Sequence, residues 1–266
     1  MLELKLELRS STTTATHRTV ESLSHEQDRQ KLLRWLQKSE NTSKPIPPSY
    51  PGTGAWFLNC EAYQNWRKDK PSLLWCYGPP GVGKSLLAAI AVRSLSKKSN
   101  WDSSCVASYF CDFGARKQQD TTTILQSVLN QVVERGDQNV ILSVSKWINS
   151  ADKISSVEDL WQAFCAACLT QPNTYLILDA PDELENPKML VGLFQPFVMA
   201  GCRLLVTSRD VPDLKNALGQ AKRVQIQADP RDLATFVEGR FRESGFENIS
   251  KSKEFLKEVV NKADGM

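Results

Sequence analysis

Tyr77-Gly78-Pro79-Pro80-Gly81-Val82-Gly83-Lys84-Ser85 is the stretch that decides the fold. From Gly78 onward it has the spacing G-x-x-x-x-G-K-S of a phosphate-binding loop. The glycines let backbone wrap closely around a polyphosphate, with the loop N–H groups turned toward its oxygens. Pro79, Pro80 and Val82 complete that wall. Lys84 supplies positive charge for β- and γ-phosphates, and the Ser85 hydroxyl suits Mg²⁺. The context agrees. Residues 72–77 form a short apolar run that reads as a buried strand, and residues 86–92 open an apolar helix whose N-terminus faces the loop.

Outward from this loop, strand-like and helix-like runs alternate. Strands are expected over residues 106–112, 174–179, 202–209 and 223–227. Helices are expected over 121–134, 139–149, 157–169, 187–200 with a proline break, and 212–218. Alternation of this kind implies an α/β fold, a three-layer P-loop NTPase with a five-stranded parallel sheet covered on both faces. Ahead of it a helix is expected over 25–38, then a loop rich in Pro and Gly, then a second helix over 55–66. Its aromatics Trp56, Phe57, Tyr63 and Trp66 are expected to pack on the sheet. Gly52-Thr53-Gly54 is a weaker candidate for lying near a nucleotide base. After residue 229 the pattern turns helical (232–242, then 250–262), as at the start of a lid. The expected organisation is an arm over 1–24, a helical segment over 25–67, the core over 68–228 and a partial helical lid over 229–266.

A second acidic element accompanies the loop. In Tyr175-Leu176-Ile177-Leu178-Asp179-Ala180-Pro181-Asp182-Glu183, an apolar strand ends in Asp179, whose carboxylate is suited to Mg²⁺. Asp182 and Glu183 follow at the carboxyl edge of the sheet, where open α/β sheets bind ligands. Glu183 is the candidate for polarising an attacking water, with Asp182 second. The long separation between Lys84 and Asp179 leaves room for an intervening strand between the two motif strands. Thr207-Ser208-Arg209 ends the strand expected in that position, which brings Arg209 toward a γ-phosphate. Pro181 fixes its own φ and biases Ala180 toward extended backbone.

Other signals are weaker. Asn261-Lys262-Ala263-Asp264 has the spacing of a guanine-reading element, but it follows a helix-spaced pattern, and Asp179-Ala180-Pro181-Asp182 lacks the glycine that GTPases carry. Cys165 and Cys168 have metal-like spacing with no second pair, and core packing accounts for them. The seven cysteines read as reduced thiols. A net charge of +3, with basic residues scattered among acids, gives no strong nucleic-acid signal. No apolar run approaches the roughly 18 residues of a membrane span, so no membrane partner and a cytoplasmic location are expected.

Three stretches together carry a resemblance: Gly52-Thr53-Gly54-Ala55-Trp56 ahead of the loop, Leu176-Ile177-Leu178-Asp179-Ala180-Pro181-Asp182-Glu183-Leu184, and Leu204-Leu205-Val206-Thr207-Ser208-Arg209. The chain resembles the NACHT domain of fungal STAND-type P-loop NTPases, also described as the nephrocystin-type N-terminal domain. Leu32-Leu33-Arg34-Trp35-Leu36 matches the helix that precedes such domains, so the resemblance runs from about residue 25 to the end. It implies a signalling switch that binds ATP or ADP with Mg²⁺ and hydrolyses ATP slowly. Exchange of ADP for ATP would open the protein and allow homo-oligomerisation, with effector or sensor domains in the same chain. The preference for ATP over GTP rests on the resemblance. The resemblance implies a lid and winged helix after the core, and residues 229–266 are expected to be the start of that lid, truncated before the winged helix, so that either the sequence is a fragment or the regulation is lost. A nucleotide-binding interaction module without useful hydrolysis stands as the alternative. An AAA+-like motor acting on nucleic acid or protein is a third reading, disfavoured by the weak basicity.

Overall fold

Residues 26–36, 43–97, 104–148, 156–171 and 173–243 are described in the computed structural model. The arm over 1–24, the second lid helix and Asn261-Lys262-Ala263-Asp264 lie outside the described residues. Five strands, β1 (Ser72–Tyr77), β2 (Ser104–Phe110), β3 (Asn173–Asp179), β4 (Arg203–Ser208) and β5 (Lys222–Gln225), form one sheet in the order β2-β3-β4-β1-β5. Every pairing is parallel. The central strands are apolar along nearly their whole length because both sheet faces are covered.

Side-chain alternation sorts each strand between two cores. Leu73, Trp75, Ala107, Leu176, Leu178, Leu204 and Val206 point to one face. There they meet a helix over 26–36 (α1), α5 (Thr121–Arg135), α6 (Gln138–Ile148), α7 (Val157–Thr170), α8 (Lys188–Gly192), α9 (Phe194–Met199) and α10 (Pro212–Ala217). Leu74, Cys76, Val106, Tyr175, Ile177 and Leu205 point to the other face, against α2 (Ala55–Asn59), α3 (Glu61–Lys68) and α4 (Lys84–Ser96). The expected three-layer α/β sandwich is therefore the one observed. The helix α11 (Pro230–Glu243) follows β5. All seven cysteines are free, and Cys168 belongs to the first core. No described helix is long and apolar enough to cross a membrane.

Two expectations are corrected and a third is met. The helix expected over 55–66 breaks at Cys60, which is extended at φ −66°, ψ 146°. On one continuous helix Phe57 and Tyr63 are about 120° apart; the break lets Phe57, Tyr63 and Trp66 all reach the sheet, each fully buried. The strand expected over 106–112 starts and ends two residues earlier, because Asp112 leaves the sheet to accept a hydrogen bond from Gly114 N–H and open a 3₁₀ turn. The helix expected over 187–200 with a proline break does divide, into α8 and α9, with the junction at Leu193 and Pro196 near the start of the second.

Trp66 joins the layers. Its indole Nε1 donates to the Leu204 carbonyl of β4 at 3.0 Å, and its ring lies 5.6 Å from that of Tyr175. Trp66→Ala is expected to lower unfolding free energy by about 3–5 kcal/mol. Trp66→Phe, which keeps most of the volume, is expected to lose about 1 kcal/mol. Urea midpoints of the two variants check the ranking.

Candidate functional site

The loop from 78 to 83 joins β1 to α4 and presents the free amides of the α4 N-terminus. Gly83 caps the helix at φ 91°, a conformation that costs a side-chain-bearing residue about 1–2 kcal/mol. Gly78 is required for a different reason: a Cβ there would stand 2.7 Å from the Ile226 carbonyl oxygen. That oxygen has little freedom to move, since Ile226 N–H donates to Tyr77 O at 2.7 Å. Lys84 Nζ donates to the carbonyls of Gly78 (2.9 Å) and Pro79 (2.7 Å), which holds the ammonium in the mouth of the loop. Desolvation pulls the Lys84 pKa down, partly offset by Asp182 and Asp179.

The acidic element meets the loop across β4. Asp179 is paired with Thr207 in the register, and the Thr207 hydroxyl donates to Asp179 Oδ1. Burial raises the Asp179 carboxyl, while hydrogen bonds from Ser85 and Thr207 act the other way. Ser85 and Asp179, far apart in sequence, are thus in contact. They form a hard oxygen pair of the kind Mg²⁺ takes. Ala180 is not extended as Pro181 suggested. It lies at φ 52°, ψ 48°, in the left-handed region. Two hydrogen bonds from Ala180 N–H, to Thr207 O (2.9 Å) and Thr207 Oγ1 (3.2 Å), hold it there. The turn it makes carries residues 181–183 back over the sheet edge as a single 3₁₀ turn.

That turn sets the two remaining acids apart. The Asp182 side chain is 4% exposed and pairs with Arg209 Nε at 2.6 Å. Its Oδ1 is buried with no partner among the described residues. Glu183 turns toward the edge of β2, where its Oε2 accepts from Phe113 N–H (3.1 Å) and from Lys44 Nζ (3.2 Å).

Two clefts flank the loop and share Gly81, Gly83 and Leu86. One, of about 460 Å³, is lined by Lys84, Ser85, Phe113, Asp182, Glu183 and Arg209. The other, of about 510 Å³, is mainly apolar, walled by Pro47, Trp56, Val82, Leu87, Leu233 and Phe236. Asp232 lines its rim, and its Oδ2 accepts from Gly54 N–H (2.9 Å) and Trp56 Nε1 (3.1 Å). Gly54 therefore abuts the apolar cleft through Asp232. Trp56 is half-buried: it packs against the second core, as expected, and also lines the cleft. Lys44, Phe113, Asp232 and Phe236 went unread in the sequence. The Asp229-Pro230 helix start was the one available signal for Asp232, since Asp229 caps the helix through Arg231 N–H at 2.8 Å.

Fold and loop define the class, a P-loop NTPase domain. The chain belongs to the family described as Nephrocystin 3, N-terminal, whose model matches residues 52–209. The match takes in the loop, Asp179 to Glu183 and Arg209; the helix over 26–36 precedes it. Among solved structures, the Orc1 protein of Aeropyrum pernix, determined in complex with DNA, is similar at 15% identity and a TM-score of 0.48. The similarity covers 79% of this chain and 53% of that one, so the chain spans about half the length of that protein. No curated protein matches the chain.

Removing Arg209 leaves the nearly buried Asp182 carboxylate without its cation. Because Arg209 itself is half exposed, Arg209→Ala is expected to cost only about 1 kcal/mol. Combining it with Asp182→Asn is expected to return most of that loss, as a double-mutant cycle in urea measures.

Proposed function

We propose that this chain binds ATP or ADP with Mg²⁺ across the two clefts and hydrolyses ATP slowly, as the nucleotide switch of a cytoplasmic signalling protein. The observation that carries the proposal is the continuity of the clefts through Gly81 and Gly83. A polar cleft with a lysine, an arginine and two acids opens onto an apolar one of base-and-ribose size. In this reading the loop amides and Lys84 bind the β- and γ-phosphates, with Pro79, Pro80 and Val82 shaping the loop. Ser85 and Asp179 hold Mg²⁺, whose chemistry is to neutralise charge on the phosphate oxygens. Arg209 reaches the γ-phosphate by exchanging its bond to Asp182, so the pair reports whether that phosphate is bound. Glu183 orients and polarises the attacking water, and Asp182 tunes Arg209. Trp56 and Phe236 flank the base. Homo-oligomerisation on ATP exchange, and effector or sensor domains in the same chain, are parts of this reading taken from the family resemblance.

A second reading is a binding module without useful hydrolysis. It is favoured by the engagement of Glu183 Oε2 with two donors and of Arg209 with Asp182.

Lys84→Ala is expected to weaken ATP binding by at least about 100-fold, because it removes the cation at the phosphates. Glu183→Gln is expected to bind normally and release phosphate about 100-fold more slowly. Turnover by Glu183→Gln at the wild-type rate contradicts its role, and no phosphate release by the wild type selects the second reading. Phe236→Ala is expected to weaken ATP about tenfold, equal to ~1.4 kcal/mol, while binding of inorganic triphosphate stays unchanged. Competition against a fluorescent ATP analogue separates the two ligands.

A further inference from the structure

Lys44 lies ahead of the family-matched residues, yet its side chain reaches the candidate water-activating glutamate. We propose that Lys44 is a positioning residue for Glu183, through which the segment N-terminal to the core takes part in hydrolysis. The proposal rests on the role given to Glu183 above.

The backbone of Lys44 is fixed. β2 is an edge strand, and the chain at residues 43–44 caps that edge: Lys44 N–H donates to Phe110 O at 2.8 Å, and Ser43 Oγ accepts from Phe110 N–H at 3.0 Å. The side chain therefore leaves from a set point just beside the carboxyl end of β2. Its Nζ stands 3.2 Å from Glu183 Oε2 and 3.3 Å from Asp112 Oδ1. Asp112 is itself anchored, accepting from Gly114 N–H at 3.0 Å and donating its own N–H to Gln119 Oε1 at 2.8 Å. Burial works against the Lys44 charge, but the two carboxylates outweigh it and raise its pKa, so the ammonium persists at neutral pH.

The consequence falls on one oxygen of Glu183. Lys44 Nζ and Phe113 N–H both bind Oε2. Oε1 carries no hydrogen bond from a described residue. A carboxylate pinned through one oxygen cannot swing freely, and its other oxygen is left to accept from a water. An ion pair with both partners this exposed contributes little to stability, so its effect should appear in turnover. Misplacing a reacting group by about an ångström costs up to about 100-fold in rate. With Phe113 N–H still in place, losing Lys44 should cost less, about tenfold.

The test uses the full chain as wild type, Lys44→Met, Lys44→Arg, Glu183→Gln and Lys44→Met with Glu183→Gln. Each is measured for Mg·ATP affinity, thermal midpoint and single-turnover phosphate release. Lys44→Met is expected to slow release about tenfold with affinity and midpoint unchanged, and Lys44→Arg to restore most of the rate. In the Glu183→Gln background Lys44→Met is expected to add nothing. Acylation of the Lys44 amine, read by mass spectrometry, is expected to be several-fold faster in Glu183→Gln than in wild type. Wild-type turnover by Lys44→Met, an equal loss in both backgrounds, or acylation indifferent to Glu183→Gln overturns the proposal. An inactive Glu183→Gln beside an unaffected Lys44→Met sinks only the role of Lys44. Normal turnover by Glu183→Gln, or none by the wild type, sinks the reading of Glu183 and this one with it.

Discussion

β4 is buried along its whole length between β1 and β3, and the site depends on that insertion. Parallel pairing aligns Tyr77 with Ser208 and Asp179 with Thr207, so three strands end at one level. Each then releases a different group over the same edge: β1 the phosphate-type loop, β3 the acidic turn, β4 Arg209. Thr207 makes the alignment chemical as well as geometric. Its hydroxyl donates to Asp179, and its carbonyl and hydroxyl oxygens together hold Ala180 N–H in the left-handed turn that separates Asp182 from Glu183. A left-handed alanine before proline is strained, and the two hydrogen bonds to Thr207 are what oppose that strain.

Around this fixed edge lie parts contributed from outside the sheet. The chain from 43 to 56 bonds to a lining residue of each cleft: Lys44 binds Glu183 at one end, and Gly54 and Trp56 bind Asp232 at the other. α11 is fastened to the same chain. The Tyr50 and Phe236 rings meet edge to face at 5.7 Å, and Gly239 admits the Tyr50 ring where a Cβ would lie 2.3 Å from it. The apolar cleft is therefore bounded by the N-terminal segment, the loop and the first helix after the core. On the proposed reading, a base filling it touches all three, while the phosphates touch β1, β3 and β4. Binding would then couple pieces that the sheet alone does not join.

How far the sequence revealed this differs by element. β1 and the succession of strands along the chain could be read because buried parallel strands are short apolar runs and the loop motif fixes one of them. The place of β4 followed from the spacing of the two motifs. Helix edges near Cys60 and Asp112 could not be read, because aromatic packing and a side-chain cap override local periodicity there. Ala180 was misread for a related reason: proline's local bias yields to tertiary hydrogen bonds from a residue in another strand. Lys84, Ser85, Asp179, Asp182, Glu183 and Arg209 do converge around the loop. Lys44 and Asp232 were missed because each acts through a partner more than a hundred residues away, and no local pattern marks such a pair.

The central claim is that one nucleotide spans both clefts. Calorimetric titration of the full chain with Mg·ATP, Mg·ADP, Mg·GTP and inorganic triphosphate tests it most directly. The account predicts a single site per chain, with adenine nucleotides bound at least about tenfold more tightly than triphosphate alone. It also predicts loss of all binding in Lys84→Ala. A folded sample that binds triphosphate and ATP equally would contradict the base cleft, and one that binds neither would contradict the nucleotide site altogether.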